Sequence, residues 1–133
     1  EKYIKKVEIE ASLLHELSIN QILPACLRYQ TDLLNNISAA IEAGIPKNSM
    51  KTQHELVSLI GNHIDGMYRG IEEMQVEAEK AHHLETTREK AIYFCDKVKP
   101  LFLEIRNHAD TLELYVEDKY WPLAKYREIL FNR

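Results

Sequence analysis

The stretch IGNHIDGMYRGIEEMQVEAEKA, residues 60–81, decides the fold. Its apolar positions are Ile60, Ile64, Met67, Ile71, Met74, Ala78 and Ala81, separated by alternating steps of four and three residues. That alternation lays one apolar stripe along a helix and requires a partner helix to cover it. Downstream, Cys95, Val98, Phe102, Ile105, Ala109, Leu112 and Val116 repeat the pattern. Two stripes of equal length predict mutual burial. Upstream the repeat is looser: Ile4, Val7, Ala11, Leu14 and Leu17 continue through Leu27, Leu34, Ile37 and Ile41, interrupted by polar Asn20, Gln21 and Thr31.

Helix-ending and helix-starting signals divide the chain around these stripes. In Ala43-Gly44-Ile45-Pro46, Gly44 suits the left-handed residue that closes a helix and Pro46 bars its continuation. Ser49 or Thr52 is the expected cap of the next helix, with Thr52 to Glu55 reading as a capping box, and Thr86 to Glu89 supplies a second box. The resulting reading is all-α: an up-down-up bundle of three long helices, about 3–43, 50–83 and 87–119, with a short helical tail at 120–133. A chain of 133 residues fits a single domain, since domains commonly run about 100 to 150 residues. At about 1.5 Å per residue the first helix spans roughly 60 Å and the second roughly 50 Å, which predicts an overhang at the N-terminal end. The same ruler separates Cys26 and Cys95 by about 10 Å in height, too far for a disulfide. Pro24 and Pro100 fall inside helices and predict kinks. Gly61, Gly66 and Gly70 in the second helix predict close approach of another backbone.

Composition excludes several classes of function. The net charge is -4, with 17 basic residues scattered among 21 acidic ones, so no clustered cationic surface for a nucleic acid is expected. No apolar run reaches the roughly 20 residues of a membrane span, and the mixed charges of the opening residues lead to the expectation of no leader segment. Two cysteines without C-x-x-C spacing suggest reduced thiols and a cytoplasmic location. The absence of an initiator Met suggests a fragment or a processed chain.

Chemistry-bearing spacings are few. Glu79 and His82 form one copy of the Glu-x-x-His pattern, whereas di-iron bundles need two copies and two further glutamates. His82 and His83 read more simply as residues complementing the negative end of a helix dipole, and His15, His54, His63 and His108 as solvated or packed side chains. Phosphate-binding glycine loops and nucleophile–base arrangements are missing, so no catalytic, cofactor-binding or metal residue is expected. The tail is richer: Tyr120, Trp121, Tyr126 and Phe131 lie within its last 14 positions. With Pro122, Leu123 and Leu130 these are the candidate interface residues. Either they fold over the end of the bundle or they anchor a separate domain or subunit.

The run Ile105-Arg106-Asn107-His108-Ala109-Asp110-Thr111-Leu112-Glu113, then Val116-Glu117-Asp118, Trp121-Pro122-Leu123 and Lys125-Tyr126-Arg127-Glu128-Ile129-Leu130-Phe131, resembles the C-terminus of type III glutamine synthetases. Ile9-Glu10-Ala11, Ile22-Leu23-Pro24-Ala25 and Tyr29-Gln30 resemble the helix that follows the catalytic barrel of that family. Ala124 departs from the family's second proline, and residues 44–95 add nothing. The resemblance implies a parent enzyme that makes glutamine from glutamate, ammonia and ATP with Mg2+ or Mn2+, in a ring-stacked homo-oligomer. The family's ligands for metal, nucleotide and glutamate belong to an upstream catalytic domain, so none is carried over here. The expected partners are that domain and neighbouring subunits, with no nucleic acid and no membrane. A stand-alone adaptor that binds an amphipathic helix, and a metal-binding bundle built on Glu79 and His82, are the competing readings.

Overall fold

The computed structural model describes residues 2–123. The first long helix consists of α1 (Lys2–Leu17), a π-helical turn (Ser18–Ile22) and α2 (Leu23–Glu42). A 3-10 turn (Lys47–Met50) leads into α3 (Lys51–His82). The third segment is α4 (Thr87–Tyr93), a second π turn (Phe94–Val98) and α5 (Lys99–Tyr115). The described residues contain no strand, and the fold is an all-α bundle of three long helical segments.

The helix boundaries follow from local chemistry. Gly44, at φ 91°, closes the first helix, with Ile45 N–H reaching Ala40 O at 2.9 Å and Gly44 N–H reaching Ile41 O at 3.0 Å. This double return satisfies carbonyls that the helix end would otherwise orphan. Thr86 and Glu89 form the expected capping box, with reciprocal bonds of 3.1 and 3.2 Å. The Thr52 box does not form. The 3-10 turn starts the helix earlier, at Lys51, and buried Met50 fixes the entry of the chain by packing instead.

Both internal prolines are handled in the same way. Each sits at the start of an α-helix directly after a π turn. The residue before it sends its N–H back five residues, Leu23 to Ser18 O and Lys99 to Phe94 O. A proline cannot donate to the carbonyl four residues back, and the wider turn accommodates that loss while the helix continues.

Each π turn also shifts the helical phase by about one residue, which moves the buried face. In the first helix Ile4 and Val7 are buried before the shift, and Ile22, Ala25, Cys26 and Ile37 after it. Three residues expected on the apolar face turn outward instead: Leu27, Leu34 and Ile41 are 47, 50 and 42% exposed. In the third segment Phe94 replaces Cys95 at the seam, followed by Val98, Phe102, Ile105, Leu112 and Val116. The stripe of α3 has no such interruption. Ile60, Ile64, Met67, Ile71, Met74 and Ala81 are buried, with Ala78 packed against them.

Contacts give the register. Glu8 meets His82 and Gln30 meets Val57, so the first helix runs antiparallel to α3. Tyr93 donates its hydroxyl proton to the Glu77 carboxylate and His108 meets His63, so the third segment is antiparallel to α3 as well. Tyr3 lies beside Lys99, with the ammonium 5.8 Å from the ring centre. The N-terminal turn is therefore covered rather than overhanging. The unmatched length lies at the opposite end, where α2 and the start of α3 run past the end of α5. In this register Cys26 and Cys95 stand roughly 20 Å apart in height, more than the sequence ruler indicated. Both are free thiols, Cys26 buried and Cys95 exposed.

The α3 glycines receive side chains rather than another backbone. A Cβ at Gly70 would lie 2.7 Å from Cγ1 of Ile105, and one at Gly66 would lie 2.4 Å from the His108 ring. At Gly61 the nearest atom is the Gln30 amide nitrogen, 3.3 Å away, which donates to Val57 O at 3.1 Å.

Two outcomes test this packing. Gly70→Ala gains about 1 kcal/mol of helix propensity but overpacks the fully buried Ile105, at about 1 to 3 kcal/mol. It should lower the urea midpoint, whereas Gly61→Ala, facing a movable amide, should change it less. Burial pushes the Cys26 thiol up to about 12, so iodoacetamide at mildly alkaline pH should label Cys95 in the native protein and Cys26 only after unfolding. Equal labelling of both in the native state would contradict the buried position of Cys26.

Candidate interface at the end of the bundle

α5 stops at Tyr115. Val116 leaves it in extended conformation at ψ 134°, with its side chain buried and its N–H still bonded to Leu112 O at 2.9 Å. Two tight bonds then turn the chain, Tyr120 N–H to Glu117 O at 2.9 Å and Trp121 N–H to Asp118 O at 3.2 Å. The turn brings the tail back to the first helix. The Tyr120 ring tilts against Tyr29, with centroids 6.1 Å apart and planes at 51°, and its hydroxyl donates to the Asp32 carboxylate. The Lys119 ammonium lies 5.0 Å from the centre of the same ring. The bond to Asp32, with some burial, holds the Tyr120 hydroxyl above the usual phenol range.

Trp121 joins the core with 9% of its surface exposed. Its indole N–H is buried and has no acceptor among the described residues. A donor left in that condition costs about 1 to 3 kcal/mol. Pro122 and Leu123 face solvent. Of the seven expected interface residues, Tyr120 and Trp121 thus fold back over the bundle end, and Tyr126, Leu130 and Phe131 lie outside the described residues. Tyr29 and Asp32 carry no local signal for this role, since Asp32 precedes its partner by 88 residues. Only the parallel register of the first helix and the third segment brings them together.

At the other end, the Glu79–His82 pattern comes apart. His82 Nε2 lies 2.8 Å from the Glu8 carboxylate, and its ring meets Phe94 edge-on with centroids 5.7 Å apart. Glu79 pairs with His83 at 3.1 Å. Among the described residues no three His, Cys, Asp or Glu side chains gather as a group able to hold a metal ion, so these residues do not fit the metal that the resemblance attaches to the parent enzyme. No helix of the described residues is long and apolar enough to cross a membrane.

The profile of the glutamine synthetase C-terminal domain matches residues 1–40. That stretch holds α1, the first π turn, Pro24, and the Tyr29 and Asp32 to which the tail returns. A glutamine synthetase of Bacteroides fragilis (strain YCH46) is 35% identical over 136 residues, covering all of this chain. The chain is similar to the C-terminal domains of glutamine synthetases. A type-3 glutamine synthetase of Dictyostelium discoideum is 29% identical across the whole chain, and a glutamine synthetase of Butyrivibrio fibrisolvens is 24% identical across 99% of it. The chain spans about a fifth of these relatives, 19, 18 and 19% of their respective lengths. The glutamine synthetase likeness therefore covers both the helix pair and the aromatic end, including residues 44–95, where inspection of the sequence found no family signal.

Trp121→Ala, removing the sole tryptophan, should cost about 3 kcal/mol in urea unfolding, within the range for buried aromatic truncation. A loss below about 1 kcal/mol would show that the ring is not part of the core.

Proposed function

We propose that this chain is a non-catalytic helical domain of a type III glutamine synthetase, and that its aromatic end packs on the catalytic domain or on a neighbouring subunit of a homo-oligomer. In this reading the whole protein works in the cytoplasm, joining ammonia to glutamate at the expense of ATP, with Mg2+ or Mn2+ held by residues outside this chain. The observation that carries the reading is the match of this chain, over its whole extent, to about a fifth of two glutamine synthetases. The Trp121 indole supports the placement of the interface. Its buried N–H calls for an acceptor from beyond the described residues, and exposed Pro122 and Leu123 continue from it to the surface. Buried aromatics beside a partly open surface are the kind of anchor on which interface energy concentrates.

Truncating the full-length protein before Tyr120 and measuring its mass by light scattering tests the assembly role. The expected result is a shift to smaller species with loss of glutamate- and ammonia-dependent ATP turnover. An oligomer of unchanged mass would remove the tail from the interface. Robust turnover by the 133-residue chain alone would overturn the non-catalytic reading.

A further inference from the structure

α3 turns one flank, with Val57 and Gly61, to the first helix and another, with His63, Gly66 and Gly70, to α5. On the second flank two imidazoles meet. Nδ1 of His63 lies 2.9 Å from Nδ1 of His108, with ring centroids 5.2 Å apart and planes at 56°. Both rings are half-buried. The geometry is held from below, because Gly66 leaves room for the His108 ring where any Cβ would sit 2.4 to 2.9 Å from three of its atoms.

Two nitrogens at this distance need one proton between them. With both rings neutral, one Nδ1–H donates and the other Nδ1 accepts. With one added proton, an imidazolium donates to a neutral ring and the bond becomes charge-assisted. With two, a pair of N–H groups and two positive charges face each other, and the contact cannot persist. We propose that the His63–His108 contact is an acid-sensitive clasp between α3 and α5, closed with none or one added proton on the pair and released when both rings are charged.

An open groove beside His63 is lined by His54, Glu55, Ser58, Leu59 and Asn62. The charged side chains within four residues of either ring are Asp65 on α3 and Glu104, Arg106 and Asp110 on α5, all exposed, and exposed Glu55 lines the groove. The proton affinity of His63 is lowered first by burial and second by the charge of His108. The folded protein thus holds a proton on His63 less readily than the unfolded chain does. The contribution to stability is complete above the ordinary histidine value of about 6.5 and is lost as the pH falls below it.

The test uses the protein labelled with 15N-histidine. In mildly alkaline solution, NMR of the ring nitrogens should find one of the two histidines protonated on Nδ1 and the other on Nε2. Both in the Nε2–H form would overturn the clasp. His108→Asn should raise the titration midpoint of His63, and should reduce the fall of the urea midpoint between about pH 7.5 and about pH 5, a range that brackets the ordinary histidine value. An unmoved His63 midpoint in the folded variant would overturn the proposal. Should the variant not fold, the ring tautomers of the unaltered protein decide.

Discussion

The burial of the α3 stripe is the constraint on which the rest of this structure depends. Ile60, Met67, Ile71 and Met74 lose almost all contact with water, and at about 25 cal/mol per Å2 such side chains each favour the folded state by roughly 1.5 to 3 kcal/mol. One helix cannot cover that stripe alone. The first helix and α5 must lie on either side of it, and both run antiparallel to it. Their parallel relation to each other follows, and with it the meeting of Tyr120 with Tyr29 and Asp32.

The bundle was legible in the sequence wherever the helical phase runs unbroken. α3 keeps its four-three spacing from Ile60 to Ala81, and its predicted core residues are buried except for Ala78, which packs against them half-buried. The first helix and the third segment were read with the same period, but each contains a π turn that the residue pattern does not announce. A single period across each puts Leu27, Leu34 and Ile41 on the wrong face and Cys95 where Phe94 belongs. Pro24 and Pro100 marked the right places. At each the helix resumes after a widened turn rather than breaking.

The candidate interface was legible to a smaller degree. The density of rings after Tyr115 identified the region, and the resemblance of the two ends of the chain to one family agrees with their meeting in space. The partners on α2 were invisible because nothing local to Tyr29 or Asp32 distinguishes them from other half-exposed helix residues. The glycines of α3 signalled close packing correctly but not what packs there. Gly61, Gly66 and Gly70 each admit a different side chain, an amide, an imidazole and a branched aliphatic group, so what looks like one repeated small residue serves three distinct contacts.

The π turns also bear on how such a domain could diverge. A π turn amounts to one residue accommodated inside a helix, and it sets the rotation of everything after it relative to everything before. Gain or loss of one residue between Ser18 and Ile22 would swing α2 by about a quarter turn, exchanging the faces that carry Leu27, Leu34 and Ile41 and those that carry Ala25, Cys26 and Ile37. The orientation of an exposed apolar stripe is then an inheritable property separable from side-chain chemistry, open to change by a single codon insertion or deletion in a chain whose residues are otherwise kept.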